Sequence, residues 1–260
     1  MIQGAFVGSS PTYFGIDPSY ISNVKALNLG AMNSSQILGL TIVNNYALPQ
    51  LPNLKIIGIG LDPGQIDDFN VVNPYMTGLS RAIGYELDQT NNFWKNGLPL
   101  QIQQKIALFD SSSSWPDFFS TGFTIQKASN GWGPTLIDGT DYDFENDTIQ
   151  RNLSIFKTLA DTLASHGIHL LVIEFPESPA YKQTSMIGRL GPSRTTYAKI
   201  VSWLRAIEQA NPYFHFYDAN MDGNHDYSDA EALDCNHLGY LGARKLSTRI
   251  DSLFGIYLKQ

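Results

Sequence analysis

The feature that most restricts the fold is a rhythm of short apolar runs separated by stretches with helical spacing. "IHLLVIEF", residues 168–175, is the plainest run, and nearly every position in it is aliphatic or aromatic. A run of that length with no polar alternation reads as a strand buried on both faces. Residues 5–8, 25–29, 54–60 ("LKIIGIG") and 213–218 ("YFHFYD") read the same way. Between them, residues 34–46 carry Ile37, Leu38, Thr41, Ile42 and Asn45 at helical spacing. Residues 148–165 line up Ile149, Leu153, Phe156, Ala160 and Leu163 on one helical face. Pro192-Ser193 opens a helix expected to run to Ala210. A last helix over 239–254 is expected to bury Leu241, Leu246, Ile250 and Leu253. Strand and helix in alternation specify an α/β domain, a parallel sheet covered on both faces. Such sheets gather ligands beyond the carboxyl ends of their strands.

The chain of 260 residues is expected to form one domain. Residues 62–147, rich in Asn, Gly, Ser and aromatics, are too long for a connector. They read as an irregular insertion that helps wall a site. Composition excludes several classes of function. Seventeen basic against 24 acidic residues give a net charge of −7, and no Lys/Arg cluster is present. A nucleic-acid groove or adhesion to an anionic membrane is therefore not expected. No apolar run approaches the roughly 18 residues of a membrane span. The single cysteine, Cys235, rules out an intrachain disulfide and a thiolate metal cluster. Charged residues make up only 16% of the chain, against about 25% in an average domain, and neutral hydrogen-bonding and aromatic residues replace them. That surface suits a secreted, periplasmic or cell-surface protein that meets carbohydrate. The first strand begins within a few residues of Met1 with no leader-like stretch before it, as expected of a mature form or an excised domain.

Two short stretches carry chemistry. "GSSP" follows the first apolar run, which puts Ser9 and Ser10 at the carboxyl end of a strand. "DCNHL" places Asp234 and His237 three apart, just before the last helix. On one turn of chain a carboxylate at that spacing can fix the tautomer of the imidazole and leave its other nitrogen free to take a proton. A serine hydroxyl is a poor nucleophile until such a base sits beside it. Taken singly, the first stretch is a turn and the second a helix cap beside a satisfied histidine. Found together in an α/β chain, they read as a Ser-His-Asp constellation of Ser10, His237 and Asp234. Leu238 would anchor the turn in the core, and Gly242 would let the last helix pack closely. His166 and His169 flank the amino end of the fourth strand, the wrong edge for this site, and read as structural.

With these residues in view, the chain resembles the SGNH (GDSL-type) hydrolase superfamily. The resemblance implies a flavodoxin-like three-layer α/β/α sandwich with a five-stranded parallel sheet. "GSS" sets Ser10 at the family nucleophile and Ser9 where the family has Asp. "DCNHL" matches the C-terminal Asp-x-x-His-Leu motif. The wider pattern GSS-x4-GIDP is similar to a bacterial, envelope-associated branch of the family, many of whose members act on polysaccharide acyl groups. The family's oxyanion donors map less cleanly. Asn33 stands where a glycine N–H is expected, with Gly30 as an offset alternative. Asp62 stands where the family has an asparagine side chain. An ionised Asp62 cannot donate and would repel a developing oxyanion. The implied function is hydrolysis of small acyl esters, acetyl above all, on carbohydrate. A carbohydrate O-acyltransferase with the same triad, or an inactive carbohydrate-binding or scaffold domain, stands as the alternative.

Three further features bear on ligands. "DANMDGNHDYSD" sets Asp218, Asn220, Asp222, Asp226 and Asp229 at positions 1, 3, 5, 9 and 12 of an EF-hand-like loop with glycine at 6. It is either a calcium loop or a polar loop that positions Asp234 and His237; the esterase chemistry itself requires no cofactor. Tyr13, Phe14, Trp115, Trp132 and Tyr181 fall in loops expected at the carboxyl edge. They can stack on sugar rings or fill space under loops, and Tyr13, three residues past Ser10, is the foremost candidate for a substrate contact. Arg189 and Arg194 flank "LGPS" and can hold an acidic substrate group or form surface pairs.

Overall fold

The computed structural model describes residues 1–30, 36–66, 129–137, 139–189 and 191–259. Asn33, Trp115 and the greater part of the 62–147 segment lie outside these residues.

The apolar runs form the expected parallel sheet. Its strands are β1 (Gly4–Val7), β2 (Ala26–Asn28), β3 (Ile56–Leu61), β4 (His169–Glu174) and β5 (Phe214–Asp218), in the order β2-β1-β3-β4-β5. This is the flavodoxin-like order, with a topological switch beside β1. The register sets Val7 opposite Ile59, Leu61 opposite Glu174, and Glu174 opposite Asp218. The strands therefore end together at one edge. Alternation sends Ala5, Val7, Ile57, Ile59, Leu170 and Val172 to one core and Phe6, Ile56, Leu171 and Ile173 to the other.

Helices cover both faces and make the two outer layers. Among the described residues the helices are α1 (Ser10–Gly15), α2 (Gln36–Ile42), α3 (Leu48–Gln50), α4 (Asp147–Ser165), α5 (Arg194–Ala210) and α6 (Tyr240–Tyr257). α2 runs into α3 through a π turn, Val43–Ala47. The wider turn rotates the chain, so Ile42, Val43 and Ala47 are buried while Asn45, expected on the inner face, is exposed. The expected face of α4 is buried throughout, and Asn146 caps the helix by accepting from Thr148 N–H at 2.8 Å. Ser193 caps α5 in the same way. α6 differs from expectation. Its inner face is Gly242, Ala243, Leu246, Ser247, Ile250 and Phe254, whereas Leu241 is exposed and Leu253 only half-buried. The helix packs so closely at Gly242 that a Cβ there would overlap the Glu231 carbonyl oxygen, which fixes its rotation and turns Leu241 outward.

One element was not foreseen. Ala232–Asp234 (β6) and His237–Leu238 (β7) pair as a small antiparallel hairpin beside the sheet edge, with Asp234 opposite His237. Among the described residues, no helix is long and apolar enough to cross a membrane.

Candidate active site

The site is assembled where β1 ends. Gly8 leaves the strand at φ +146, a conformation open to glycine, and α1 begins two residues later with Ser10 as its first residue and Pro11 as its second. Thr12 holds this helix against the sheet by filling the notch between Gly8 and Gly60, where a Cβ on either glycine would overlap its Oγ1. Ser10 is thereby held at the carboxyl edge, half-exposed, at the start of a short rigid element.

The hairpin delivers the other half. Asn236 N–H donates to Asp234 Oδ1 at 3.0 Å across the two-residue turn, so the carboxylate organises its own loop. That turn lays His237 Nδ1 at 2.8 and 2.9 Å from the two Asp234 oxygens. An ionised carboxylate only accepts, so Nδ1 carries the hydrogen and Nε2 is the acceptor. Ser10 Oγ donates to Nε2 at 2.8 Å, across 227 positions of sequence. Leu238, 2% exposed, pins the hairpin to the core as expected. Burial pushes the Asp234 carboxyl up, but the hydrogen bond and charge of His237, the Asn236 N–H and the Arg189 charge outweigh it. The carboxyl ends below its usual value and is ionised at neutral pH. Hydroxyl, imidazole and carboxylate in this order can move a proton from oxygen to nitrogen and stabilise the resulting imidazolium.

The surroundings answer the remaining expectations. Phe14 lies one helical turn beyond Ser10 and sets its ring edge-on to His237, with centroids 5.4 Å apart at 83°. Tyr13 packs edge-on to Phe14 at 4.9 Å, and both rings are half-exposed at the mouth of the site. Trp132 and Tyr181 are instead buried, at 6% and 2% exposure. Tyr181 donates to the Ile137 carbonyl, and Trp132 packs against His225, so both fill space beneath loops. Gly30 is not placed to hold an oxyanion, because its N–H donates to Asn28 Oδ1 at 2.9 Å. His169 bonds His215 at 3.0 Å at the amino edge, well removed from the site. Arg194 is tied to the Tyr181 and Thr184 carbonyls and pairs with Asp222. Arg189 comes to the site, and its Nη1 donates to Asn236 Oδ1 at 3.0 Å behind the hairpin turn.

The EF-hand-like loop spends its oxygens elsewhere. Asp218 accepts from Met221 N–H, Asn220 from Glu177 N–H, and Asp229 from Trp132 N–H. Asp222 pairs with Arg194, and Asp226 takes both Nη atoms of Arg249 at 2.8 and 2.6 Å. Among the described residues no three acidic, His or Cys side chains converge on a point where an ion could sit.

Sequence reasoning missed the partner of Asp62. Ser9, read only as a departure from the family Asp, turns its hydroxyl away from capping α1 and donates to Asp62 Oδ2 at 3.1 Å. Gln36 Oε1 accepts from the Asp62 N–H at 3.3 Å. The signal was present in the two glycines. With Val7 opposite Ile59, Gly8 and Gly60 come level, and Ser9-Ser10 and Leu61-Asp62 leave the sheet side by side. Burial raises the Asp62 carboxyl to about 6, although the Ser9 hydroxyl, the Gly64 N–H, His237 and Arg189 all pull it down.

Comparison with known proteins adds little to this geometry. No protein-family model and no curated protein matches the chain. Among solved structures, it is similar to a candidate acylhydrolase from Bacteroides fragilis, with 11% identity, a TM-score of 0.49 and coverage of 98% of this chain and 88% of the other. It is also similar to a candidate arylesterase from Agrobacterium tumefaciens, with 13% identity, a TM-score of 0.43 and coverage of 99% and 100%.

Proposed function

We propose that the chain is a serine esterase of the SGNH type, secreted, periplasmic or at the cell surface, that removes acetyl or other small acyl groups from carbohydrate. The observation that carries this reading is the 2.8 Å contact from Ser10 Oγ to His237 Nε2, with Asp234 on the opposite ring nitrogen. Ser10 Oγ attacks the ester carbonyl as its proton passes to His237 Nε2. Asp234 stabilises the imidazolium without taking the proton. The tetrahedral intermediate collapses, His237 returns the proton to the leaving alcohol, and an acyl group remains on Ser10. Water, deprotonated by the same imidazole, then releases the acid. This chemistry calls for no metal or cofactor. The half-exposed Tyr13 and Phe14 rings beside Ser10 suit the face of a sugar, and the sparsely charged surface suits a neutral polymer.

The test is turnover of p-nitrophenyl acetate and acetate release from an acetylated polysaccharide, with the intact chain and with Ser10→Ala. Both activities are expected in the intact chain and neither in the variant. Transfer of acetyl to an added sugar, with little free acetate, would make the protein an O-acyltransferase. Absence of both in the intact chain would leave a carbohydrate-binding or scaffold domain.

A further inference from the structure

An acidic side chain level with a serine nucleophile is, on simple electrostatics, in the wrong place. An ionised carboxylate beside a carbonyl that is about to become an oxyanion opposes the reaction. Burial of Asp62 works against that charge. Glu174, 2% exposed at the end of β4, and Glu177 just beyond it are pushed well up by burial and further by the charge of Asp62, so a charge on Asp62 is opposed by its surroundings and not shared with them. The cations that face Asp62 are His237 from β7 and Arg189 from the loop before α5. Neither forms an ion pair with it among the described residues, since His237 pairs with Asp234 and the Arg189 guanidinium bonds Asn236. The uncharged groups around it are the Ser9 hydroxyl, the Gly64 N–H and the Gln36 amide.

We infer that Asp62 serves the esterase reaction as a neutral carboxylic acid, donating its O–H to the carbonyl oxygen of the acyl group as that oxygen becomes an anion. This rests on the esterase reading above. The proton stays on Asp62 throughout. Ser10 loses its own proton to His237, the C–O π pair moves onto the carbonyl oxygen, and the Asp62 O–H stabilises that charge until the leaving alcohol departs with the His237 proton. Such a donor works only while it is protonated, and its base partner only while it is not. The active form therefore holds Asp62 protonated and His237 neutral. The rate should fall as pH rises through the Asp62 value, and the carboxyl value of about 6 sets that falling limb in the weakly acidic to neutral range. The site is then an esterase for mildly acidic surroundings, switched down by alkali.

The experiment is the pH profile of kcat/KM for p-nitrophenyl acetate, after subtraction of spontaneous hydrolysis, in the intact chain, Asp62→Asn and Asp62→Ala. Fluorophosphonate labelling of Ser10 is measured alongside. The intact chain should lose activity about tenfold per pH unit on the alkaline side. Asp62→Asn keeps a donor that does not titrate, so its alkaline limb should vanish. The ratio of Asp62→Asn to intact activity should climb by ~50-fold between pH 6 and pH 8. Asp62→Ala should lose ~10²–10³ at pH 6 while labelled Ser10 and circular dichroism show an intact fold. Carbon NMR of labelled aspartate should show the Asp62 carboxyl titrating well above its ordinary value. A profile that stays flat to pH 8 with labelled Ser10 overturns the inference alone, as does an alkaline limb that survives Asp62→Asn. Failure of Ser10 to label in the intact chain overturns the esterase reading and this inference with it.

Discussion

Replacing Gly60 with alanine probes how the sheet holds the nucleophile in place. Gly60 lies on β3, opposite the point where β1 gives way to α1, and its backbone is one that alanine can adopt. A Cβ there would overlap Thr12 Oγ1 and come within 3.0 Å of Phe175 Cε2. Thr12 is 1% exposed and sits two residues beyond Ser10, so it cannot retreat without lifting α1. Overpacking of this kind costs about 1–3 kcal/mol. In a chain of this size that lowers Tm by roughly 2–4 °C per kcal/mol. The functional effect should be larger. A shift of α1 by about 1 Å stretches the Ser10–His237 contact, and a displacement on that scale can lower kcat/KM about 100-fold. Thr12→Ala alone removes a long hydrogen bond to the Val7 carbonyl, 3.5 Å, and one methyl, a loss of about 1 kcal/mol. In the double variant the new methyl occupies the space left by the threonine. Urea unfolding of all four proteins should therefore give a favourable coupling of about 1–2 kcal/mol. The double variant should also recover most of the activity lost in Gly60→Ala. Additive stabilities with no recovery would show that the notch does not set the position of α1, and the account of how Ser10 is held would fail.

Three further outcomes follow from named contacts. Asp234→Asn removes the charge that stabilises the imidazolium and the acceptor that fixes its tautomer, so kcat should fall by about 10²–10⁴ with little change in KM; an undiminished kcat would remove Asp234 from the mechanism. His215 is lowered to about 4 by burial and then by the charge of His169. Its unfolded form binds a proton near pH 6.5, so the native state should lose stability as pH falls from 6.5 toward 4, by at most about 1.4 kcal/mol per unit. His215→Phe, which keeps the ring stacked on Tyr257 at 3.6 Å, should flatten that acid limb in urea melts taken across the range; an unchanged slope would assign it to other groups. Millimolar calcium should leave Tm unchanged, because Asp226 is held by Arg249 and Lys245 and Asp222 by Arg194. A rise of several degrees would show that the loop reorganises around an ion.

The framework was legible because it depends on periodicity. A parallel strand buried on both faces must be apolar at every position, and residues such as Ile57, Ile59, Leu170 and Val172 announce it without further context. Ser10, Asp234 and His237 were legible for a related reason: each lies next to a strand end or a tight turn that its own neighbours specify. What the sequence misplaced or left open depends on what comes across from distant chain. Leu241 has the right spacing to be buried, but the closeness of α6 to Glu231 at Gly242 decides the rotation. The acids of residues 218–229 have ion-ligand spacing, yet Arg194 and Arg249 arrive from two different helices and take their charges. Trp132 and Tyr181 look like aromatics of an open site and are covered by loops that no local pattern predicts. The Ser9–Asp62 hydrogen bond links positions 53 apart, and only the register between β1 and β3 brings them together.

The most direct measurement is covalent capture of the nucleophile. The intact chain is treated with a fluorophosphonate and the modified peptide is mapped by mass spectrometry, with Ser10→Ala and His237→Ala treated in parallel. Modification should fall on Ser10, vanish in Ser10→Ala and slow severely in His237→Ala. Modification at another serine, or labelling of Ser10 at an unchanged rate without His237, would contradict the claim that this imidazole activates that hydroxyl.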